Sequence, residues 1–191
     1  MMLTKNIVLI GLSGSGKTAF SKRLAARYGL TRIDMDSEIV KKAGRSIAEI
    51  FASDGEKAFR DMETECAEEC AGLSGAVIST GGGVVLREEN MKALGKNAWV
   101  IFLDRKPEEI IGEDLSDRPL VAGNQEKIFR LRQERLPLYE KYADAVVHNR
   151  KEKDDTERAI VETVERLIRE DLCEDRREDR REDRENTENR K

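Results

Sequence analysis

GLSGSGKT, residues 11–18, follows the apolar run Ile7, Val8, Leu9, Ile10 and precedes the helical spacing of Phe20, Leu24 and Ala25. A strand, a glycine-rich turn and a helix in that order read as a phosphate-binding loop. Gly11, Gly14 and Gly16 permit backbone conformations closed to residues with a Cβ, so that successive N–H groups of the loop, those of Ser13 and Ser15 included, can turn inward around an anion. Lys17 adds a mobile positive charge for the outer phosphates. Thr18 offers a hydroxyl to Mg²⁺, and the N-terminus of the following helix contributes its partial positive charge. This element predicts a chain that handles a nucleoside triphosphate.

Beyond the loop, short apolar runs rich in Val and Ile recur at 6–10, 31–35, 76–79, 99–103 and 144–147, separated by segments of helical period. Such alternation predicts βαβ units and a three-layer α/β/α fold around a buried parallel sheet of five strands. Helices are expected over 17–28, from about Asp36, after Ser46, over 55–71, from Pro107 and over about 124–141. Ser46 with Glu49 three residues on forms a capping box. Thr156 is expected to cap a last helix whose Ile160, Val161, Val164, Leu167 and Ile168 share one face and pack back on the sheet.

The 191 residues fit one domain, taken as 1–172, with a mobile lid at about 112–123 between Gly112 and Gly123. From 173 to 191 the text turns to charged repeats, EDRR, EDRR, EDRE, and 15 of those 19 residues are charged. With nothing apolar to bury, this tail is read as solvated, frayed or disordered. The 35 basic and 39 acidic residues are well mixed and leave a net charge of −4, which argues against a nucleic-acid surface. No stretch has the length of a membrane span, and the N-terminus runs straight into a core strand. Cys66, Cys70 and Cys173 make no disulfide framework, which fits a reducing cytoplasm. Cys66 and Cys70 lie one helical turn apart but lack further metal ligands, and read as small helix-face residues.

In open α/β sheets ligands sit beyond the carboxyl ends of the strands, so the polar residues there carry the chemistry. The second strand ends in Asp34, Met35, Asp36, placing two carboxylates beside the loop. One suits Mg²⁺ through a water and the other a substrate hydroxyl, with Asp36 also available as a helix N-cap. The third strand runs into Gly81, Gly82 and Gly83, which expose backbone N–H groups to close approach. Ser79 and Thr80 stand where many phosphate-loop enzymes carry a metal-binding Asp, which leaves Asp34 as the candidate. Arg60, Arg118 and Arg135 sit among apolar or conformationally restricted neighbours, and their planar forks suit a carboxylate or phosphate. His148, the only histidine, reads as a strand-end residue rather than a catalyst.

GLSGSGKT, IDMDSEI, SIAEIFASDGEKAFRDME, STGGGVV, DRPL and RLPLYEKYAD together resemble the shikimate kinase family, of the nucleoside monophosphate kinase-like branch, over about residues 5–150. The resemblance implies ATP-dependent phosphorylation of the 3-hydroxyl of shikimate, on the route to aromatic amino acids. It implies that Lys17 and the loop amides of Gly11, Ser13, Gly14, Ser15 and Gly16 hold the phosphates. Thr18 would bind Mg²⁺ directly and Asp34 would support it through water. Asp36 would take the substrate hydroxyls, Arg60 and Arg135 the carboxylate, Gly81, Gly82 and Gly83 the substrate through their backbone, and Arg118 the transferring phosphate. Lys17, Asp36 and Arg118 are the expected catalytic residues, in a monomer that binds neither nucleic acid nor membrane. The stretch EEIIGEDLSD departs from the family in lacking an arginine that packs on adenine. A gluconate kinase-like enzyme and a non-catalytic nucleotide-binding regulator are the rival readings.

Overall fold

The computed structural model describes residues 3–111, 125–149 and 153–188. Five strands, β1 (Asn6–Ile10), β2 (Thr31–Asp34), β3 (Ala76–Ser79), β4 (Ala98–Asp104) and β5 (Ala145–His148), form one parallel sheet in the order β2-β3-β1-β4-β5. The three central strands are almost wholly buried, whereas the edge strands β2 and β5 keep half or more of their residues at least partly open. All five strands agree with the apolar runs, within a residue or two at the ends. The register aligns Leu9 with Ser79, Ser79 with Asp34, Ile10 with Phe102 and Asp104 with His148. The strands therefore finish along one edge, and the residues that follow them share one rim.

Alternation along the strands divides the core in two. Ile7, Leu9, Val77, Ile101, Leu103 and Val147 face α1 (Lys17–Tyr28) and α8 (Lys153–Glu188). Val8, Ile10, Ile78, Val100 and Phe102 face the helical layer of α2 (Met35–Ala43), α3 (Ile47–Ser53), α4 (Gly55–Ala71), α5 (Glu88–Gly95), α6 (Pro107–Ile111) and α7 (Gln125–Tyr142). A period of two on a pleated strand sends neighbouring side chains to opposite faces, which is how one short apolar run serves both layers. The α/β/α expectation is met. Among the described residues no helix is long and apolar enough to cross a membrane.

Three local expectations are corrected. Asp34, not Asp36, caps α2: its side chain accepts from the backbone N–H of Ser37 at 3.2 Å, and the helix begins at Met35. Thr156 does not cap the last helix, which starts at Lys153; its hydroxyl donates instead to Asn149 Oδ1 at 3.1 Å. The backbone of α8 continues helical to Glu188, where the composition predicts a frayed or disordered segment from 174. No Gly or Pro interrupts residues 153–188, and the repeat offers opposite charges at i, i+3 alongside like charges at i, i+4.

The capping box is present, with Glu49 N–H on the Ser46 hydroxyl and Ser46 N–H on the Glu49 carboxylate. Two elements went unread in the sequence: α5 and the 3₁₀ turn Val84–Leu86. At the far end of the sheet, Trp99 Nε1 donates to Asp171 Oδ2 at 3.1 Å and Lys5 Nζ reaches the same carboxylate at 2.5 Å, pinning α8 to β4 and β1.

Candidate active site

The loop between β1 and α1 takes the shape its glycines permit. Gly11, Gly14 and Gly16 have φ values of 143°, 88° and 98°, a region L side chains rarely enter. A Cβ on Gly11 would also lie 2.5 Å from the carbonyl oxygen of Leu103. Lys17, only 6% exposed, folds over the loop and donates from Nζ to the carbonyls of Gly11 at 2.9 Å and Leu12 at 2.8 Å. Its charge is thus tied to the loop's own carbonyls, and the Ser15 N–H donates to the same Leu12 oxygen at 3.1 Å.

Beside the loop, the Thr18 hydroxyl donates to Asp34 Oδ2 at 3.1 Å. Asp34 also accepts from Ser37 Oγ and from Arg32, which fixes its carboxylate toward the start of α1. A hydroxyl and a carboxylate held this close form the oxygen-only donor set that a hard divalent cation such as Mg²⁺ prefers. Ser79 and Thr80 offer no rival, since both are buried and the Thr80 hydroxyl donates to the carbonyl of Leu9 at 3.0 Å.

Two residues beyond Asp34, past the fully buried Met35, the carboxylate of Asp36 faces Gly81. Here the glycines serve a different purpose. None of Gly81, Gly82 and Gly83 has a left-handed φ, but a Cβ on Gly81 would meet Glu63 Oε1 at 2.7 Å and Asp36 Oδ1 at 2.8 Å. One on Gly82 would lie 3.1 Å from the Ser13 nitrogen, and one on Gly83 only 2.2 Å from an Arg60 guanidinium nitrogen. The run is glycine because four polar groups crowd against it.

Arg60 and Arg135 converge on this run from α4 and α7. Arg60 donates to Glu63 Oε2 at 2.7 Å and to Glu56 at 3.1 Å. Arg135 donates to the carbonyl of Gly82 at 3.0 Å, and the Tyr139 hydroxyl donates to the same oxygen. Burial alone would pull the Arg60 pKa down, but Glu63 and Glu56 hold it above its ordinary value. Burial dominates at Glu63 and pushes its carboxyl up, against the pull of Arg60 and with help from Asp36. Tyr139 is likewise pushed up to about 12 by burial, so it stays a neutral donor. Arg135 Nε and Glu63 Oε1 are buried without a hydrogen-bond partner among the described residues. Unspent hydrogen-bonding groups of both signs in one pocket suit a small ligand with acid and hydroxyl groups.

Of the residues singled out from sequence, the structure brings together Lys17, Thr18, Asp34, Asp36, Arg60, Arg135 and the two glycine runs along the rim. Arg118 and the lid at 112–123 lie outside the described residues. Cys66 and Cys70 are buried in the core, with the Cys66 thiol 3.9 Å from the Met35 carbonyl, while Cys173 is exposed. His148 is exposed and pairs with Asp104 at 3.2 Å. Sequence reasoning did not single out Glu63 or Tyr139. Glu63 had a signal, lying three residues after Arg60 on one helix face. Tyr139 had the same kind of signal, one helical turn after Arg135.

A family model described as Shikimate kinase matches residues 13–169. The chain belongs to the shikimate kinase family. The shikimate kinase of Thermodesulfovibrio yellowstonii is 45% identical over 172 residues, covering 87% of this chain and 94% of its own length. Among solved structures of the family, the shikimate kinase from Acinetobacter baumannii in complex with shikimate superposes with a TM-score of 0.79 at 29% identity, covering 89% of this chain and 96% of that one. The one from Aquifex aeolicus gives 0.73 at 31% identity, with 84% and 96% covered. A gluconokinase from Sinorhizobium meliloti, at TM-score 0.59 and 15% identity, shares the fold alone.

Proposed function

We propose that the chain transfers the γ-phosphoryl group of ATP to the 3-hydroxyl of shikimate. The observation that carries this reading is the convergence of buried Arg60 and Arg135 on a glycine run that also meets Asp36, two residues past the Asp34 that pairs with Thr18. The geometry supports a shared boundary between a triphosphate site and a site for a polyhydroxylated acid.

In this scheme the loop amides and Lys17 bind the β- and γ-phosphates. Thr18 and Asp34 would hold Mg²⁺, the latter through water, and the ion would supply charge neutralisation on the phosphate oxygens. Arg60 and Arg135 take the substrate carboxylate by charge-assisted hydrogen bonds. Asp36 accepts a hydrogen bond from the 3-hydroxyl, orients it, and receives its proton as the oxygen bonds to the γ-phosphorus and the bond to the β-phosphate oxygen breaks. Because phosphoryl transfer passes through a loose transition state, orientation and charge stabilisation by Lys17 and Arg118 contribute more than proton removal. Closure of the 112–123 segment would exclude water as a competing acceptor.

An assay that couples ADP release to a visible signal, run with shikimate, with gluconate and without acceptor, tests the reading. Release that depends on shikimate is expected. Equal rates with and without shikimate would overturn it, and a preference for gluconate would favour the rival enzyme.

A further inference from the structure

We propose that Arg105 and Asn149 are positioning residues for the phosphate loop, holding the carbonyls of Gly14 and Ser15 outward so that the loop amides face the triphosphate. The inference rests on the phosphotransferase reading and adds to it two side chains that lie far from the loop in sequence. A peptide plane that turns its N–H toward an anion must turn its C=O the other way. Glycines make that arrangement accessible at Gly14 and Gly16, but the same freedom lets the intervening planes rotate back. Something outside the loop has to fix them.

The structure supplies a donor for each carbonyl. Arg105, the first residue after β4, donates from a guanidinium nitrogen to the Gly14 carbonyl at 3.0 Å. Asn149, the first residue after β5, donates from Nδ2 to the Ser15 carbonyl at 2.8 Å. Asn149 is 7% exposed, and its side-chain oxygen accepts from the Thr156 hydroxyl at 3.1 Å, which keeps the nitrogen end toward the loop. Its backbone N–H is tied to the Asp104 carbonyl at 2.7 Å, so the ends of β4 and β5 carry the two donors as one unit. A Cβ at position 16 would lie 2.9 Å from Asn149 Nδ2, so the amide packs directly on the outer wall of the loop.

Strand order gives the inference its specificity. β4 and β5 lie on one side of β1, while β2 and β3, which lead into Asp34, Asp36 and Gly81–Gly83, lie on the other. Loss of either donor should therefore loosen nucleotide binding without touching the shikimate pocket.

The test uses the full chain and titration calorimetry with ADP and, separately, with shikimate, beside KM for each substrate and thermal melting. Asn149→Ala and Arg105→Ala should each weaken ADP binding about tenfold, the equivalent of about 1.4 kcal/mol. Asn149→Asp, which keeps the shape but turns a carboxylate on the Ser15 carbonyl, should be worse. Arg105→Lys should recover part of the loss, and Thr156→Val should weaken ADP by a few fold through Asn149. KM for ATP should rise in step while shikimate affinity stays within about twofold, a difference of about 0.4 kcal/mol. Unchanged ADP affinity in folded variants, or a parallel fall in shikimate affinity, overturns the proposal. Should the Asn149 variants fail to fold, the ADP result from Arg105→Ala, Arg105→Lys and Thr156→Val decides it. A wild-type chain that binds ADP but shows no shikimate-dependent turnover would defeat the functional reading and leave this comparison standing.

Discussion

Two glycine runs, Gly11 to Gly16 and Gly81 to Gly83, border the same cleft for different physical reasons. In the first, the glycines at 11, 14 and 16 have φ values open only at a cost to other residues, and the backbone itself is the proposed binding surface. In the second, no φ is unusual, and glycine is there because Asp36, Glu63, Ser13 and Arg60 leave no room for a methyl group. Under the proposed function, the donor half is thus shaped by main chain and the acceptor half by side chains. A substitution at the first changes backbone conformation, and one at the second displaces a partner.

The strongest challenge to this contrast is Lys17→Ala. Under the proposed function it removes the charge above the loop, and turnover should fall by at least about 10²–10³-fold, the range for loss of one transition-state contact. Far-UV circular dichroism should be unchanged; an active variant would show that the donor half works by amides alone. Next comes Arg60→Ala, which should cost about 2–5 kcal/mol of shikimate affinity, in part by leaving Glu63 buried without its cation. KM for ATP should hold, and a shared loss would blur the boundary between the halves.

The paired substitutions Gly16→Ala and Gly83→Ala sharpen the comparison directly. At 16 the methyl group meets both a left-handed φ and Asn149, so melting temperature and ADP affinity should drop together, with backbone strain of about 1–2 kcal/mol. At 83 the φ is ordinary and the obstacle is the buried Arg60 guanidinium, so KM for shikimate should rise while ADP affinity holds, any loss of stability coming from the disturbed Arg60–Glu63 pair. Loss of ADP affinity at both positions would erase the distinction.

The smallest effect concerns acid. Burial works against the Asp104 carboxylate, but Arg132 and His148 outweigh it and hold its pKa below the ordinary 3.8. A depressed folded pKa means stabilisation that is present above the unfolded value and lost as pH falls through the folded one. Asp104→Asn should therefore flatten the stability curve below about pH 4 and leave it unchanged in slope near neutrality. An unaltered acid limb would show that the Arg132 pair contributes nothing at the donor edge.

Much of this was legible in the chain itself, and the exceptions share a cause. Strands announced themselves because each apolar run had to serve two layers, and the loop because its glycines and Lys17 stand at fixed spacing. Asp34 and Asp36 were found as a pair, but which one caps α2 depends on where the strand stops, a matter of one residue. The triple glycine was recognised as a place of close approach, yet the crowding groups come from residues 13, 36, 60 and 63 and are invisible until the chain is folded. Arg105 and Asn149 left no signal, since any donor of the right length at a strand end reads as an ordinary polar residue. In α8 the chain lacked apolar residues past Cys173 but also lacked any helix breaker, and the second property governed the backbone.

Met35 stands between the two carboxylates, fully buried, with Cys66 against its carbonyl. Its packing in the interior holds the backbone that carries Asp34 and Asp36, and so sets the separation of the two carboxylates proposed for the cation and the hydroxyl. The separation of the two halves is therefore written into the hydrophobic interior. Repacking around this one methionine would retune the reaction distance from beneath, leaving every polar group of the cleft in place.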